Sequence, residues 1–210
     1  MKNGCIPEEA DVVVIGAGIM GCSIAYYLST ESRKVVVFEK RNIASGASGR
    51  NGGQVIQLEG RDKNTETIKA RLLVAKENNK ILKNLEKELN VTLEYQKTGS
   101  LDIALNKEEW KDIKETVKIQ QKAGDREIEL LDKKETLKKC PLLTEKVYGA
   151  RYRASDGTIN PFFLTHGFAF NAMKKGARFF TNSGVKKIIK DNKKIKGIEL
   201  ENGAKVKCAA

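Results

Sequence analysis

Six residues, Gly16–Ala17–Gly18–Ile19–Met20–Gly21, have the types and spacing to let bare main chain touch an anion. In a G-x-G-x-x-G run the first glycine permits a tight turn and the second lets a phosphate approach the backbone. The third lets a helix pack close to the preceding strand. The free N–H groups and positive dipole end of that helix then face negative charge. Such a turn holds a diphosphate and breaks no bond. A second group, Glu39, closes the next apolar run, Lys34–Val35–Val36–Val37–Phe38. A carboxylate there accepts hydrogen bonds from both hydroxyls of an adenosine ribose and repels a 2′-phosphate, which argues against NADP. An ordinary βαβ unit with a glycine-rich turn would need no such acid. The order strand, glycines, helix, strand, acid favours the nucleotide site.

The third group is the stretch from Arg41 to Gln54, which contains Ser45–Gly46–Ala47–Ser48–Gly49–Arg50–Asn51–Gly52–Gly53. Small residues let the backbone lie flat against a ligand, and successive N–H groups cradle an anion. Arg50 adds charge for a pyrophosphate. A plain linker shares this composition, but the position directly after the acidic strand end favours a site. Other reactive side chains carry less. The only histidine, His166, lies in a helical stretch, where a lone imidazole is more often packed or exposed than catalytic. Cys5, Cys22, Cys140 and Cys208 are scattered without metal-ligand spacing and read as reduced, cytosolic thiols. The residues assign no metal site and no catalytic residue.

Positioning these groups requires a βαβ unit over 11–40, after a flexible lead-in at 1–10. Thr67–Leu89 follows as a long amphipathic helix with Ile68, Leu72, Ala75, Leu82, Leu85 and Leu89 near one face. Val91–Tyr95 and Gly99–Leu105 read as strands. Asn106 with Glu109 forms a capping box before a helix striped by Trp110, Ile113 and Val117. Asp132 with Glu135 repeats that pattern before a short helix stopped at Cys140–Pro141. Val147–Arg153 reads as a strand and Asp156–Gly157 as a turn. Asn160–Pro161 opens a helix that Gly176 closes. Val185–Ile189, Ile195–Leu200 and Ala204–Cys208 read as strands, with a turn at Glu201–Gly203.

Hydrophobic residues are 40% and charged residues 31%, which marks a globular chain. No apolar run is long enough to span a bilayer, and the N-terminus lacks a signal-peptide core. The net charge is +12, from 39 basic and 27 acidic residues. Most lysines alternate with acids on the expected helices and none of the basic runs is interleaved with aromatics, so nucleic acid is not an expected partner. The expected location is cytoplasmic.

On these motifs the chain resembles the N-terminal half of the FAD-dependent D-amino acid oxidase family. That family includes glycine and sarcosine oxidases, the β subunits of proline and hydroxyproline dehydrogenases, and a subunit of hydrogen cyanide synthase. The resemblance covers nearly all of 11–210. It rests on D-V-V-V-I-G-A-G-I-M-G, on F-E-K at 38–40 and on S-G-A-S-G-R-N-G-G-Q at 45–54, then on T-G-S-L-D-I-A at 98–104, D-G-T-I-N-P at 156–161 and K-V-K-C-A-A at 205–210. It implies an α/β fold in which a Rossmann-like FAD-binding domain, in segments 1–90 and 151–210, carries an inserted α+β substrate-side domain at 91–150. The chain is expected to be truncated at its C-terminus, inside an A-A-G-x-W motif.

The resemblance further implies that Gly16, Ala17, Gly18, Ile19, Met20 and Gly21 hold the FAD pyrophosphate, and that Glu39, with Lys40 beside it, binds the adenosine ribose. Ser45, Ser48, Gly49, Arg50, Asn51, Gly52 and Gly53 would run past the pyrophosphate and ribityl chain toward the flavin. The Val185 backbone would meet the adenine, and Ala209 and Ala210 would line the cofactor. The implied reaction is oxidation of the CH–NH bond of an amino acid or secondary amine by hydride transfer to flavin N5, with a possible partner subunit. The R-N-G-G form of the loop leans toward dehydrogenase-like members. Gln54 and Gln57 are placed on the substrate side by loop position alone. The alternatives are another FAD oxidoreductase, such as a glycerol-3-phosphate dehydrogenase, and a non-catalytic nucleotide-binding remnant or subunit.

Overall fold

The structure, a computed structural model, describes residues 5–29, 31, 33–58 and 63–210. In chain order the strands and helices are β1 Glu9–Ala10, β2 Val12–Ile15, α1 Ile19–Ser29, β3 Val35–Phe38, β4 Gln54–Val55, α2 Thr65–Leu89, β5 Ser100–Ala104, α3 Lys107–Lys122 and β6 Ile128–Asp132. There follow α4 Lys133–Lys139, β7 Gly149–Arg153, β8 Gly157–Thr158, α5 Pro161–Lys174, β9 Arg178–Phe180, β10 Val185–Asp191, β11 Lys194–Leu200 and β12 Lys205–Cys208. The α/β class is the one expected.

The chain divides into two compact units. The first runs up to Gly52 and adds Leu89–Leu93 and Asn160–Ala210; the second is Gly53–Glu88 with Glu94–Ile159. These divisions differ from the expected breaks after residues 90 and 150. Ile68 and Leu72 of α2 pack with Leu58 and Ala123, which draws that helix into the second unit. Residues 151–159 join it because β7 pairs with β5 and β6, and β8 pairs with β4.

In the first unit a parallel sheet has the order β2-β3-β9. Three valines and Phe38 make β3 buried along its whole length, as a central parallel strand requires. On the other edge of β2, Val13 N–H donates to the Ala210 carbonyl at 2.9 Å. A second sheet, β1-β12-β11-β10, lays Ile198, Leu200 and Val206 against Val36, Phe38 and Phe180. The Tyr26 ring of α1 meets the Phe168 ring of α5 edge-on at 5.6 Å.

Caps set the helix starts. Asn160 Oδ1 accepts from the Phe162 and Phe163 amides, with Pro161 at the first helical position. Asp132 and Glu135 close a reciprocal box in the second unit: Asp132 Oδ1 accepts from Glu135 N at 2.8 Å, and Glu135 Oε2 accepts from Asp132 N at 2.9 Å. Asp132→Ala is expected to lower stability by about 1 kcal/mol, the usual value of such a cap, measured by urea unfolding. At Asn106 the expected box is displaced. Its Oδ1 does accept from Glu109 N, but the Glu109 carboxylate reaches back to the Leu105 amide. Ala104, Ile113, Val117 and Ile128 form the core under this helix, with Trp110 beside them.

Four local expectations are corrected. Glu9–Ala10, read as lead-in, is a strand parallel to β12, and Ala10 is a core residue; residues 1–4 of that lead-in lie outside the described residues. Val91–Tyr95 is no strand, because Glu94 takes φ of +53° and only Gln96 makes an isolated bridge to Thr158. Asp156 is not a turn residue: it is 2% exposed, and Gly157 begins β8. The three-residue β9 and the five-residue β6 were not expected at all, being too short and too charged to show a period.

Candidate functional site

Backbone geometry at the end of β2 explains each glycine separately. Gly16 turns at φ +99° and donates to the Phe38 carbonyl at 2.8 Å. A Cβ on Gly21 would fall well inside contact distance of the Gly16 carbonyl oxygen, so only glycine lets α1 start this close to the strand. A Cβ on Gly18 would lie 2.9 Å from Ser48 Oγ. The first intrahelical bond of α1 runs from Cys22 N–H to the Gly18 carbonyl. The amides before it therefore have no intrahelical acceptor, and they form the positive end of the helix. Ser48 Oγ accepts from one of them, Ile19 N, at 2.9 Å.

Glu39 sits at the mouth of this turn. Its Oε2 accepts from Ala17 N at 2.9 Å and its Oε1 from Arg41 N at 2.8 Å. Each carboxylate oxygen keeps a further acceptor site, enough for a pair of vicinal hydroxyls. Burial first, and then the Glu39 charge, push the nearby Cys22 thiol up to about 12. Cys22 thus stays a neutral packing group with no thiolate chemistry. Asn182 N donates to the Arg41 carbonyl and Ser183 N to the Glu39 carbonyl at 3.0 and 2.9 Å, which brings the start of β10 at Val185 to this acid. Lys40 is exposed beside it.

The loop after Glu39 is a built structure. Ala44 takes φ of +61°, and its amide donates to the Ala17 carbonyl at 3.0 Å. Residues Ala47–Gly49 form a 3-10 turn, held from below by Asn51 Nδ2, which donates to the Ala47 and Ser48 carbonyls. A Cβ on Gly49 would collide with the Ala44 carbonyl oxygen and meet the Phe162 ring at 2.9 Å. Gly46 and Gly52 are unobstructed, and Arg50 is exposed. Ser45 Oγ is buried with no partner among the described residues. A buried hydroxyl without a partner costs about 1–3 kcal/mol. In a loop of small residues facing a helix N-terminus, that hydroxyl fits a ligand carrying phosphate or hydroxyl groups.

The structure therefore brings Gly16–Gly21, Glu39 and Ser48 into contact, and Ser45, Val185 and Ala210 lie in the same unit. Gly53 belongs to the second unit, where its carbonyl accepts from Ile159 N. Gln57 of the second unit is already engaged, donating from Nε2 to Asn79 Oδ1 at 2.6 Å. Gln54 is exposed on β4. His166 packs its ring 5.6 Å from Phe170, with Nδ1 buried and unpartnered among the described residues. Sequence reasoning missed the Ser48–Ile19 bond and the buried charges of Arg153, Asp125 and Asp156 in the second unit. Twenty-nine positions separate Ser48 from Ile19, with no local signal to join them. Among the described residues no group of three or more His, Cys, Asp or Glu could hold a metal ion, and no helix is long and apolar enough to cross a membrane.

The chain is similar to known proteins along most of its length. A family model described as FAD dependent oxidoreductase (DAO) matches residues 11–210. A glycerol 3-phosphate dehydrogenase of Caloramator mitchellensis is 31% identical over 175 residues, 83% of this chain and 35% of that protein. The gamma-glutamylputrescine oxidoreductase of Escherichia coli K12 is 31% identical over 185 residues, 85% of this chain and 43% of that protein. Among solved structures, L-proline dehydrogenase from P. horikoshii superposes with a TM-score of 0.82 at 32% identity, over 97% of this chain and 52% of that one. The chain thus spans about a third to a half of the length of these relatives.

Proposed function

We propose, from the premise that this chain belongs to the DAO family of FAD-dependent oxidoreductases, that it holds FAD for the oxidation of an amino acid or secondary amine at its CH–NH bond. One observation carries the cofactor half of this reading. The Glu39 carboxylate is bonded to Ala17 N at the mouth of a turn whose Gly21 cannot bear a side chain.

In this reading the main chain of Gly16, Ala17, Gly18, Ile19, Met20 and Gly21 receives the pyrophosphate on the N-terminus of α1. Glu39 accepts the ribose hydroxyls, with Lys40 adding charge alongside. Ser45 supplies its unpartnered hydroxyl. Ser48, Gly49, Arg50, Asn51 and Gly52 continue along the cofactor, Asn51 by bracing the turn from behind. Val185 offers backbone to the adenine, and Ala209 and Ala210 flank the site beside β2. FAD, when bound, supplies the hydride-accepting chemistry, while the protein orients it and excludes water. The reading needs no general base, since an amine bound neutral loses hydride without one.

The amine substrate is supported by the likeness to the proline dehydrogenase structure and to the putrescine-conjugate oxidoreductase. A polyol phosphate is the second reading, supported by the glycerol 3-phosphate dehydrogenase relative. The relatives are longer, so the oxidation is proposed for the protein with that remaining length supplied, on the same polypeptide or by a partner subunit. The test is an FAD titration of the purified chain followed by visible absorbance and flavin fluorescence. Saturable quenching with a structured flavin band is expected. A chain that leaves added FAD indistinguishable from free cofactor overturns the reading. With the relatives' remaining length supplied, anaerobic bleaching by sarcosine, proline or glycine supports the amine, and bleaching by glycerol 3-phosphate alone supports the second reading.

A further inference from the structure

We propose that a lysine-lined groove in the first unit is a second anion site, which takes a small ligand carrying two or more phosphates. It lies against Glu9–Asp11 and Lys34, at the end of β2 away from the glycine turn. Its lysines have no part in the proposed FAD site, although Ala209 and Ala210 line both.

The groove has a volume of about 940 Å³ and is lined by Lys34, Lys193, Lys194, Lys196 and Lys207. Glu9 and Asp11 are the carboxylates beside them. Asp11 Oδ2 already accepts from the Lys34 amide at 2.7 Å, and Asp11 N donates to the Lys34 carbonyl at 3.0 Å, so the main chain at Lys34 is held from both sides. Among the described residues none of the five ammonium groups makes an ion pair. Lys186 and Lys187, on the same hairpin but outside the groove, are paired, at 3.3 and 3.2 Å from the Glu199 carboxylate. The basic groups left without a counter-charge are thus the ones gathered in the groove.

The β10–β11 hairpin departs from regular geometry at two of these lysines. Asp191 pairs with Lys194, which leaves Asn192 and Lys193 as a two-residue turn with φ of +48° and +65°. Such a turn favours glycine at its second place, and Lys193 holds there a left-handed conformation that glycine would take without strain. Further along, Ile189 faces Gly197 and Lys190 faces Ile195, so Lys196 is the extra residue of a bulge. A bulge bends its strand and re-aims a side chain. Lys207 comes from the neighbouring strand, opposite Gly197. Five like charges in one concavity repel one another and concentrate anions. Lysines act as point charges toward phosphate and lack the planar fork with which arginine grips a carboxylate. No aromatic ring lines the groove among the described residues, so no base is stacked there. A compact polyphosphate, free in solution or as a lipid headgroup, meets this chemistry.

The probe is tripolyphosphate, titrated calorimetrically into the chain at low salt with FAD present. Wild type is expected to bind it without displacing flavin. Lys193→Gly removes the charge and the left-handed lysine together. It is expected to weaken binding about fivefold, the usual share of one lysine facing an anionic surface, while the melting midpoint holds or rises. Lys196→Gln is expected to weaken binding about as much. Lys186→Gln, on the same hairpin but outside the groove, is expected to bind like wild type. A wild-type chain that takes up no tripolyphosphate overturns the proposal. So does one that yields FAD to it, since the probe would then sit on the glycine turn. Lys186→Gln weakened as much as Lys193→Gly overturns it too, by showing only the general attraction of a basic surface. A loss in both groove variants that merely follows a lower melting midpoint does the same. Sedimentation with phosphatidylglycerol vesicles, against phosphatidylcholine vesicles, separates the two sources. Capture that tripolyphosphate reverses supports the lipid headgroup, and tripolyphosphate binding without capture supports a soluble phosphate ligand. A chain that takes up no FAD overturns the flavin reading and leaves this test standing.

Discussion

Gly21→Ala is expected to abolish measurable FAD binding. Its new methyl would fall well inside contact distance of the Gly16 carbonyl oxygen, 3.1 Å from the Gly16 carbonyl carbon and 3.3 Å from Val14 Cγ1. Two of these neighbours are backbone, and Gly16 is fixed by its bond to Phe38 and by its left-handed φ. Neither can swing aside as a side-chain tip would. The helix must retreat from the strand, carrying the amides of Gly18 to Met20 away from the place where a diphosphate rests. Overpacking of this kind costs about 1–3 kcal/mol in stability, so the variant should still fold, and the cofactor loss can be separated from unfolding. Gly46→Ala is the control. It stands in the neighbouring loop with nothing within 4 Å of its Cβ position, at φ −91°. Stability within about 0.5 kcal/mol of wild type is expected there, as for ordinary surface positions, with near-normal FAD affinity. The measurements are a flavin fluorescence titration and a thermal melt of each variant. Tight FAD binding by Gly21→Ala would mean that the diphosphate does not lie on this turn.

The part of the site legible in sequence was the part whose signal is local. β2, the glycines, α1, β3 and Glu39 are consecutive, and each element constrains the next over a few residues. The cap at Asn160–Pro161 and the box at Asp132–Glu135 were legible for the same reason. What was hidden depends on pairings between distant segments. β9 is three residues long, and its role as neighbour of β3 exists only through the register Val36–Arg178 to Phe38–Phe180. β1 is two residues long and becomes a strand only because β12 lies alongside. Asp156 stands next to a glycine, the dipeptide of an exposed turn, and nothing local shows that Gln57 and Ser100 will enclose it. The same holds for Ser48, whose hydroxyl could as well have faced solvent as the N-terminus of α1.

The largest stability effect is expected at Arg153. Its side chain is 3% exposed and its guanidinium meets both oxygens of Asp125, whose side chain is 1% exposed. Glu127 Oε2 lies 3.9 Å and Asp156 Oδ1 4.0 Å away. One buried cation therefore serves two buried carboxylates and a third at the surface. Arg153→Met keeps much of the side-chain volume and removes the charge, stranding Asp125 and Asp156. Breaking a buried pair on one side costs about 3–5 kcal/mol, which for a chain of this size is a fall in melting midpoint of about 10 °C. If the loss comes from the stranded charge rather than from lost packing, removing Asp125 as well should return part of it. Arg153→Met with Asp125→Leu is then expected to be more stable than Arg153→Met alone, since an apolar replacement of similar size is often neutral when both partners go. Recovery should be incomplete, because Asp156 stays buried without its cation. Urea unfolding of the wild type, both single variants and the double gives the coupling energy directly. A double variant no more stable than Arg153→Met would place the cost in lost packing and not in the stranded Asp125 charge.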